Sequence, residues 1–412
     1  MRHNLEASFM RKKASPPKNK KKLKLFLKIA AGFVALLAIL FILFTRSNFE
    51  PFKTWRELFV GTGMTTASYR DLVRLLIPAD EIKRIMKIGD PYVSDTTTPG
   101  SININPADLN GISRSSPSPT RPLRITLLNV ADILKIQKIE KANGGTGYIY
   151  IKEAIRGITT KVDAATRYNY EYLNPKRYLV EKGMDDFYVD IVDVKSQYFR
   201  GNLMIISDPS KVSVGVTSQV GVTGESLDAI LKNYKAIGGI NAGGFSDAGW
   251  TGNGGSPEGL LISHGKEISQ KHYKSICGFT KNNKFVVGYF SASAAAGLNL
   301  RDAVEFNPPL IVNGKGTFTY GDTAATGIHP RTAIGQRKSG EVLLLTIDGR
   351  QIESVGASLY DLQNILLENG AYNASNLDGG HSSFMMFQDQ LLNHPYQNNP
   401  DKRLPSAFVV IP

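Results

Sequence analysis

The chain has 412 residues, 42% of them hydrophobic, and 49 Lys and Arg against 36 Asp and Glu give a formal charge of +13. That apolar share excludes global disorder and supplies cores for about two to three domains. The single cysteine, Cys277, excludes an intramolecular disulfide scaffold and a thiolate zinc cluster.

The positive charge is concentrated at the N-terminus, where residues 1–28 hold ten basic side chains and one acid, Glu6, leaving +4 for the other 384 residues. A nucleic-acid-binding body would carry its charge in the folded part, so nucleic acid is not expected as a partner. Residues 1–24 read as a basic cytoplasmic tail. The run Leu25 to Phe44 contains Lys28 as its only charge, and at ~1.5 Å per residue twenty residues match the ~30 Å hydrocarbon layer of a bilayer. The expectation is an uncleaved transmembrane signal anchor over 25–44, with the tail inside, the rest extracytoplasmic, and the cell membrane and its lipids as location and partner.

Residues 45–122 read as a stalk and linker. Tyr69, Leu72, Val73 and Leu76 recur at helical spacing, Pro78 opens a second short helix, and residues 95–122 are rich in Pro, Ser and Thr. From Leu123 the texture changes to short apolar or alternating runs, at 147–151, 187–194, 201–207 and 211–216, separated by Gly and Asn. Residues 123–191 form the first part of this ectodomain and 192–412 the main domain. Two helices interrupt the strands, one from Ser226 to Gly238 and one from Ser358 to Gly370, each opening at a Ser N-cap and stopping at Gly. The expected fold class is α+β: a transmembrane helix, a helical stalk, then a β-rich mixed domain.

A weak internal repeat follows those helices. Asn241-Ala-Gly-Gly comes after the first and Asn376-Leu-Asp-Gly-Gly after the second, each Asn five positions beyond an Ala. As a repeat it places two equivalent turns at one cleft; coincidence in a Gly-rich chain accounts for it about equally well.

Four segments concentrate chemistry: Asn241 to Asp247, His329 to Gly335, Thr346 to Arg350, and Asn376 to Ser383. Gly-Gly lets main-chain N–H groups approach an anion closely. Arg331 and Arg350 offer planar forks of donors to phosphate, and His329 and His381 exchange protons near neutrality. Asp348, Asp378 and Glu258 are the carboxylates placed to act as base, nucleophile or acid. Taken singly each has a structural reading: Asp348-Gly349 is a common hairpin turn, Asn241 with Gly243 and Gly244 a helix-to-strand corner, and Arg331 a strand-start charge. His264, His272 and His394 lie in polar loops and receive no role. G-x-S-x-G, P-loop and H-E-x-x-H motifs are absent, which disfavours serine hydrolases, NTPases and zincins.

In this order, with Asn307-Pro-Pro-Leu-Ile-Val-Asn-Gly314 between the first and second, the segments resemble the phosphodiester glycosidase family, which includes the lysosomal uncovering enzyme and bacterial exopolysaccharide-biosynthesis proteins. The resemblance covers about residues 192–412, and the anchor and Met64-Thr-Thr region resemble Gram-positive members. It implies hydrolysis of sugar-1-phosphodiesters at the glycosidic bond. It places Asp378, then Asp348, in the catalytic set, to which the reading of the residues themselves adds His381 and Glu258. Asn241, Gly243, Gly244, Phe245, His329, Arg331, Thr332, Arg350, Asn376, Gly379 and Gly380 become substrate-binding positions. The phosphate is expected at Arg331, His329 or Thr332 and the Gly243 and Gly244 amides. His381 departs from the family pattern, in which a small residue often follows Asp-Gly-Gly.

The expected substrate is a cell-envelope phosphoglycan or exopolysaccharide. No cofactor is required; Asp322, Asp348 and Asp378 offer oxygen ligands to Ca²⁺ without EF-hand spacing, and a metal-free cleft fits equally well. Two rival readings remain: a non-catalytic glycan-binding or assembly factor using the same cleft, and an envelope anchor acting through residues 51–94. Sequence leaves oligomeric state open.

Overall fold

The computed structural model describes residues 36, 39–47, 49, 52–53, 56, 59–60, 67–86, 122–128, 170–183, 185–246, 252–270, 275–290, 292–319, 322, 325, 327–399 and 401–412. The expected basic tail, the Met64-Thr-Thr segment, the linker at 95–121 and the strand at 147–151 lie outside them.

The expected fold class is corrected. Among the described residues no helix is long and apolar enough to cross a membrane, which overturns the expected transmembrane helix; the body is mostly antiparallel β-sheet, as the expected β-rich domain requires. Of the expected 25–44 span, residues 25–35, 37 and 38 lie outside the described set. The end of that span packs on protein: Phe44 meets Phe59 edge-on at 5.7 Å between ring centres and joins an apolar cluster of Val60, Val73, Ile77 and Ile82. Helices α1 (Ala67–Leu76) and α2 (Ala79–Met86) supply Val73 and Ile82 of that cluster. Buried Arg56 crosses it, donating to the Phe44 and Ser47 carbonyls at 3.1 and 2.7 Å and pairing with Glu81 at 2.7 Å. A buried charge is kept there because it is both paired and hydrogen-bonded.

The body opens with β1 (Arg124–Leu127), β2 (Glu171–Glu181), β3 (Phe187–Lys195), β4 (Arg200–Ile206) and β5 (Val212–Val216). Helix α3 (Leu227–Asn233), capped by the Ser226 hydroxyl, leads into β6 (Gly238–Asn241). Then come β7 (Leu260–Ser263), β8 (Lys266–Gln270), β9 (Ile276–Thr280), β10 (Phe285–Gly288), helix α4 (Ala292–Gly297) and β11 (Leu300–Glu305). These are followed by β12 (Pro309–Val312), β13 (Lys315–Gly316), β14 (Arg331–Arg337) and β15 (Val342–Ile347). Helix α5 (Leu359–Glu368), opened by a Ser358–Asp361 capping box, leads into β16 (Ala371–Asn376). Strands β17 (Met385–Phe387), β18 (Gln390–Leu391) and β19 (Ser406–Val410) complete it.

Three sheets result, ordered β1-β2-β3-β4-β15-β14-β16-β12-β13, β10-β9-β11-β7-β8, and β18-β17-β6-β19-β5. The first divides two cores. Leu203, Ile205, Leu343, Leu345 and Ile347 pack on one face with Leu359, Leu362, Ile365 and Leu366 of α5. Met204, Ile206, Val342 and Leu344 pack on the other with Ile240, Phe408, Cys277 and Phe279 of the two smaller sheets. Burial on both faces explains why β4 and β15 read as unbroken apolar runs instead of alternating ones. Cys277 lies fully inside this second core, and burial pushes its thiol up to about 12, which makes it an inert apolar side chain.

Candidate active site

Two helix–strand–turn segments converge. Strand β6 ends at Asn241 and β16 at Asn376, in different sheets, and the turns beyond them meet. Buried Asn241 donates through Nδ2 to the Asp378 carbonyl at 2.6 Å, while its Oδ1 accepts from Thr332 Oγ1 at 2.9 Å and from the Phe384 N–H at 3.1 Å. Asp378 N–H returns a bond to the Ala242 carbonyl at 3.1 Å. Asn376 holds a third turn, donating through Nδ2 to the Asn307 carbonyl at 2.7 Å beside the cis Asn307–Pro308 bond.

The turn Ala242-Gly243-Gly244 carries a carboxylate-bearing residue at each end. Asp378 docks its N–H on Ala242, and Glu258 docks its own on the Gly244 carbonyl at 2.9 Å. Both residues are half-buried. Gly244 leaves room for this arrangement: a methyl group there would lie 3.1 Å from the Phe306 ring and 3.7 Å from Glu258 Oε2. Gly243 N–H donates to Ser406 Oγ at 3.3 Å, which ties the turn to β19.

A cationic rim borders the Asp378 loop. Gly380, at φ +64°, turns the chain so that His381 Nδ1 comes 3.3 Å from Arg350 Nη1. A side chain at that φ would be strained, and Gly removes the cost. Arg350 itself sits at φ +60°, its N–H held by the Val355 carbonyl at 3.1 Å. Its guanidinium lies over the Tyr396 ring at 5.4 Å, and His381 meets the same ring edge-on at 4.7 Å. Across the loop Lys402 Nζ sits over the Phe245 ring at 4.8 Å. Partial desolvation first, then the charges of Arg350 and Lys402, hold the His381 imidazole below its ordinary range.

The remaining residues singled out from the sequence stand behind this rim. Arg331 is buried; its Nε donates to the Ala357 carbonyl at 3.1 Å and its Nη2 to the Gly327 carbonyl at 2.5 Å. Desolvation pushes its guanidinium down to about 9, against the attraction of Asp361. His329 is buried and pairs its main chain with Ala357. Thr332 serves Asn241.

Asp348 is also buried, and its carboxylate accepts from Asn393 Nδ2 at 2.9 Å and from His394 N–H at 3.0 and 3.1 Å. Burial raises its pKa more than these donors lower it. It braces the 393–394 turn, apart from any shared cation site with Asp378; among the described residues no group of three or more His, Cys, Asp or Glu is placed to hold a metal ion. Gly379 packs under the rim, where a methyl group would meet the Pro330 carbonyl at 2.8 Å.

Tyr396, Lys402, Asn393 and Ser406 escape sequence reasoning. They lie in a polar return segment and a final strand that carry no motif, and only the fold brings them to Arg350, Phe245, Asp348 and Gly243.

The phosphodiester glycosidase family model matches residues 234–411. The chain is 29% identical over 198 residues to the SPbeta prophage-derived uncharacterized protein YomE of Bacillus subtilis (strain 168), covering 45% of this chain and 29% of that protein. It is 27% identical over 161 residues to the N-acetylglucosamine-1-phosphodiester alpha-N-acetylglucosaminidase of Bos taurus, covering 35% and 30%. The chain thus spans less than a third of the length of either relative. Among solved structures, the zebrafish enzyme of the same name, its catalytic domain auto-inhibited by a pro-peptide, aligns with a TM-score of 0.47 at 20% identity, covering 62% of this chain and 86% of that one. Over residues 234–411 the chain is thus similar to the phosphodiester glycosidase family.

Proposed function

We propose that this domain hydrolyses the glycosidic bond of a sugar-1-phosphodiester, releasing the free sugar and a phosphomonoester. The observation that carries the reading is the Asp378 loop, fixed by main-chain bonds to Asn241 and Ala242 and bordered by the Arg350–His381 pair. The names of the mammalian relatives supply the substrate class. The glycan bearing the diester is, in this reading, an envelope phosphoglycan or an exopolysaccharide.

An anomeric phosphate is already a good leaving group, so the site needs little general acid. It needs donors for the departing phosphate and a carboxylate for the oxocarbenium-like carbon. Arg350 supplies a planar fork of donors and His381 a further N–H beside it. Asp378 faces the anomeric carbon, and Glu258, on the far end of the same turn, is the second carboxylate. As the C–O bond to phosphate breaks, its electron pair stays on the phosphate, water adds to the sugar carbon, and the surplus water proton passes to a carboxylate.

The test is release of phosphomonoester from a sugar-1-phosphodiester by the full chain, beside Asp378→Asn and Arg350→Gln. The expected result is turnover reduced by about 10²-fold or more in each variant. A folded wild type that binds the diester without cleaving it would replace this reading with a glycan-binding role.

A further inference from the structure

The rim holds more positive charge than one phosphodiester uses. A diester carries a single negative charge, for which Arg350 with His381 suffices. Lys402 lies on a different ring from that pair: its ammonium is over Phe245, in the turn following Gly244, whereas Arg350 lies over Tyr396. Lys402 is half-buried, and among the described residues no carboxylate pairs with its ammonium. His381 touches Arg350 and the Tyr396 ring, and the charge of Lys402 also reaches it. A long Lys side chain would ordinarily extend into water; the ammonium of this one lies over the Phe245 ring at 4.8 Å.

We propose that Lys402 forms a second anion subsite, so that the preferred substrate bears another negative charge on the aglycone side, as in a phosphorylated aglycone or the next phosphodiester of a polymer. This rests on the sugar-1-phosphodiester reading and specifies its substrate class. The sugar lies at Asp378, the scissile phosphate at Arg350 and His381, and the following anion at Lys402, with Phe245 forming the wall beneath it. Lys402 contributes to selectivity, not to bond breaking.

The experiment uses two probes, the N-acetylglucosamine-1-phosphate diester of glycerol and the same diester with a phosphate on the far glycerol hydroxyl. Binding to full-length Asp378→Asn protein is measured by calorimetry, and turnover is followed with Asp378 intact. The phosphorylated probe is expected to bind roughly three- to fivefold tighter, the size of one solvent-screened ion pair, and to lose that margin as salt is raised. Adding Lys402→Gln should bring the ratio of dissociation constants to near one. Adding Lys232→Gln, a charge removed from an exposed pair with Asp228, should leave the ratio as it was.

Equal affinities for the two probes, a ratio that survives Lys402→Gln, or no binding of either probe overturns the proposal. Preferential binding without turnover by the Asp378-intact chain would instead overturn the hydrolase reading and leave the subsite standing. Turnover without preference does the reverse.

Discussion

Asn241 and Asp378 are joined side chain to main chain: the Asn241 amide, buried at the end of one sheet, donates at 2.6 Å to the carbonyl of the residue that bears the candidate reacting carboxylate. The same amide accepts from Thr332 of the largest sheet and from the Phe384 N–H, so one side chain fixes the loop from three directions.

Asn241→Ala should therefore cost stability as well as activity. It strands the Asp378 carbonyl, the Thr332 hydroxyl and the Phe384 N–H in a dry interior, an expected loss of about 2–3 kcal/mol. Urea denaturation measures it, and a loss under about 0.5 kcal/mol, the size of a neutral surface change, would deny Asn241 this role.

Arg331→Ala should register first as a folding defect. The guanidinium serves the Ala357 and Gly327 carbonyls and offsets buried Asp361. Removing it leaves the Ala357 and Gly327 carbonyls without that donor in a buried site, at about 2–3 kcal/mol. Thermal melts of the variant with and without saturating substrate separate the two roles: a wild-type melting temperature with a raised KM would make Arg331 a substrate contact instead.

Gly380→Ala puts a β-carbon on a residue at φ +64° and 3.5 Å from Arg350 Nη2. The backbone cost is about 1 kcal/mol. The larger effect expected is on KM, because relaxing the turn moves His381 away from Arg350. Kinetics at matched fractions of folded protein test this, and an unchanged KM would show that the rim tolerates the turn's loss.

Stability should depend on pH through buried carboxylates. Burial raises the pKa of Asp348 and of Asp361 above the ordinary 3.8, so the folded chain holds these protons to higher pH than the unfolded chain. Their contribution is fully present below the ordinary value and is lost as pH rises through the raised ones. Urea midpoints taken from about pH 4 to about pH 7 should show Asp348→Asn with a smaller decline than wild type; parallel profiles would count against it.

The local chemistry of the chain was readable where it is local. Ser226 and Ser358 announce helices because a cap acts within three residues, and the Gly-Gly turns announce close main-chain approach. Asn241 and Asp378 were both legible as candidates, but their bond crosses 137 positions and belongs to the fold. Of the N-terminal apolar run, whose hydropathy suggested a membrane span, Phe44 packs against Phe59, while Leu36, Ile39, Leu40, Phe41 and Ile42 are exposed. Asp348 and Arg331 looked like site groups because buried structural charges and catalytic charges use the same side chains. Lys402 and Tyr396 carried no signal, since a cation becomes informative only once the ring beneath it is known.

Strand β19 lies between β5 and β6, joined to both along its whole length. On the ribosome, the two flanking strands emerge well over a hundred residues before the one that unites them, and until then their facing edges are open to other partners. The turn that holds Gly243 against Ser406 cannot close earlier either. The cleft is thus completed only after Ser406 has emerged, and a nascent chain stalled before it is exposed to strand-pairing errors without having acquired a site.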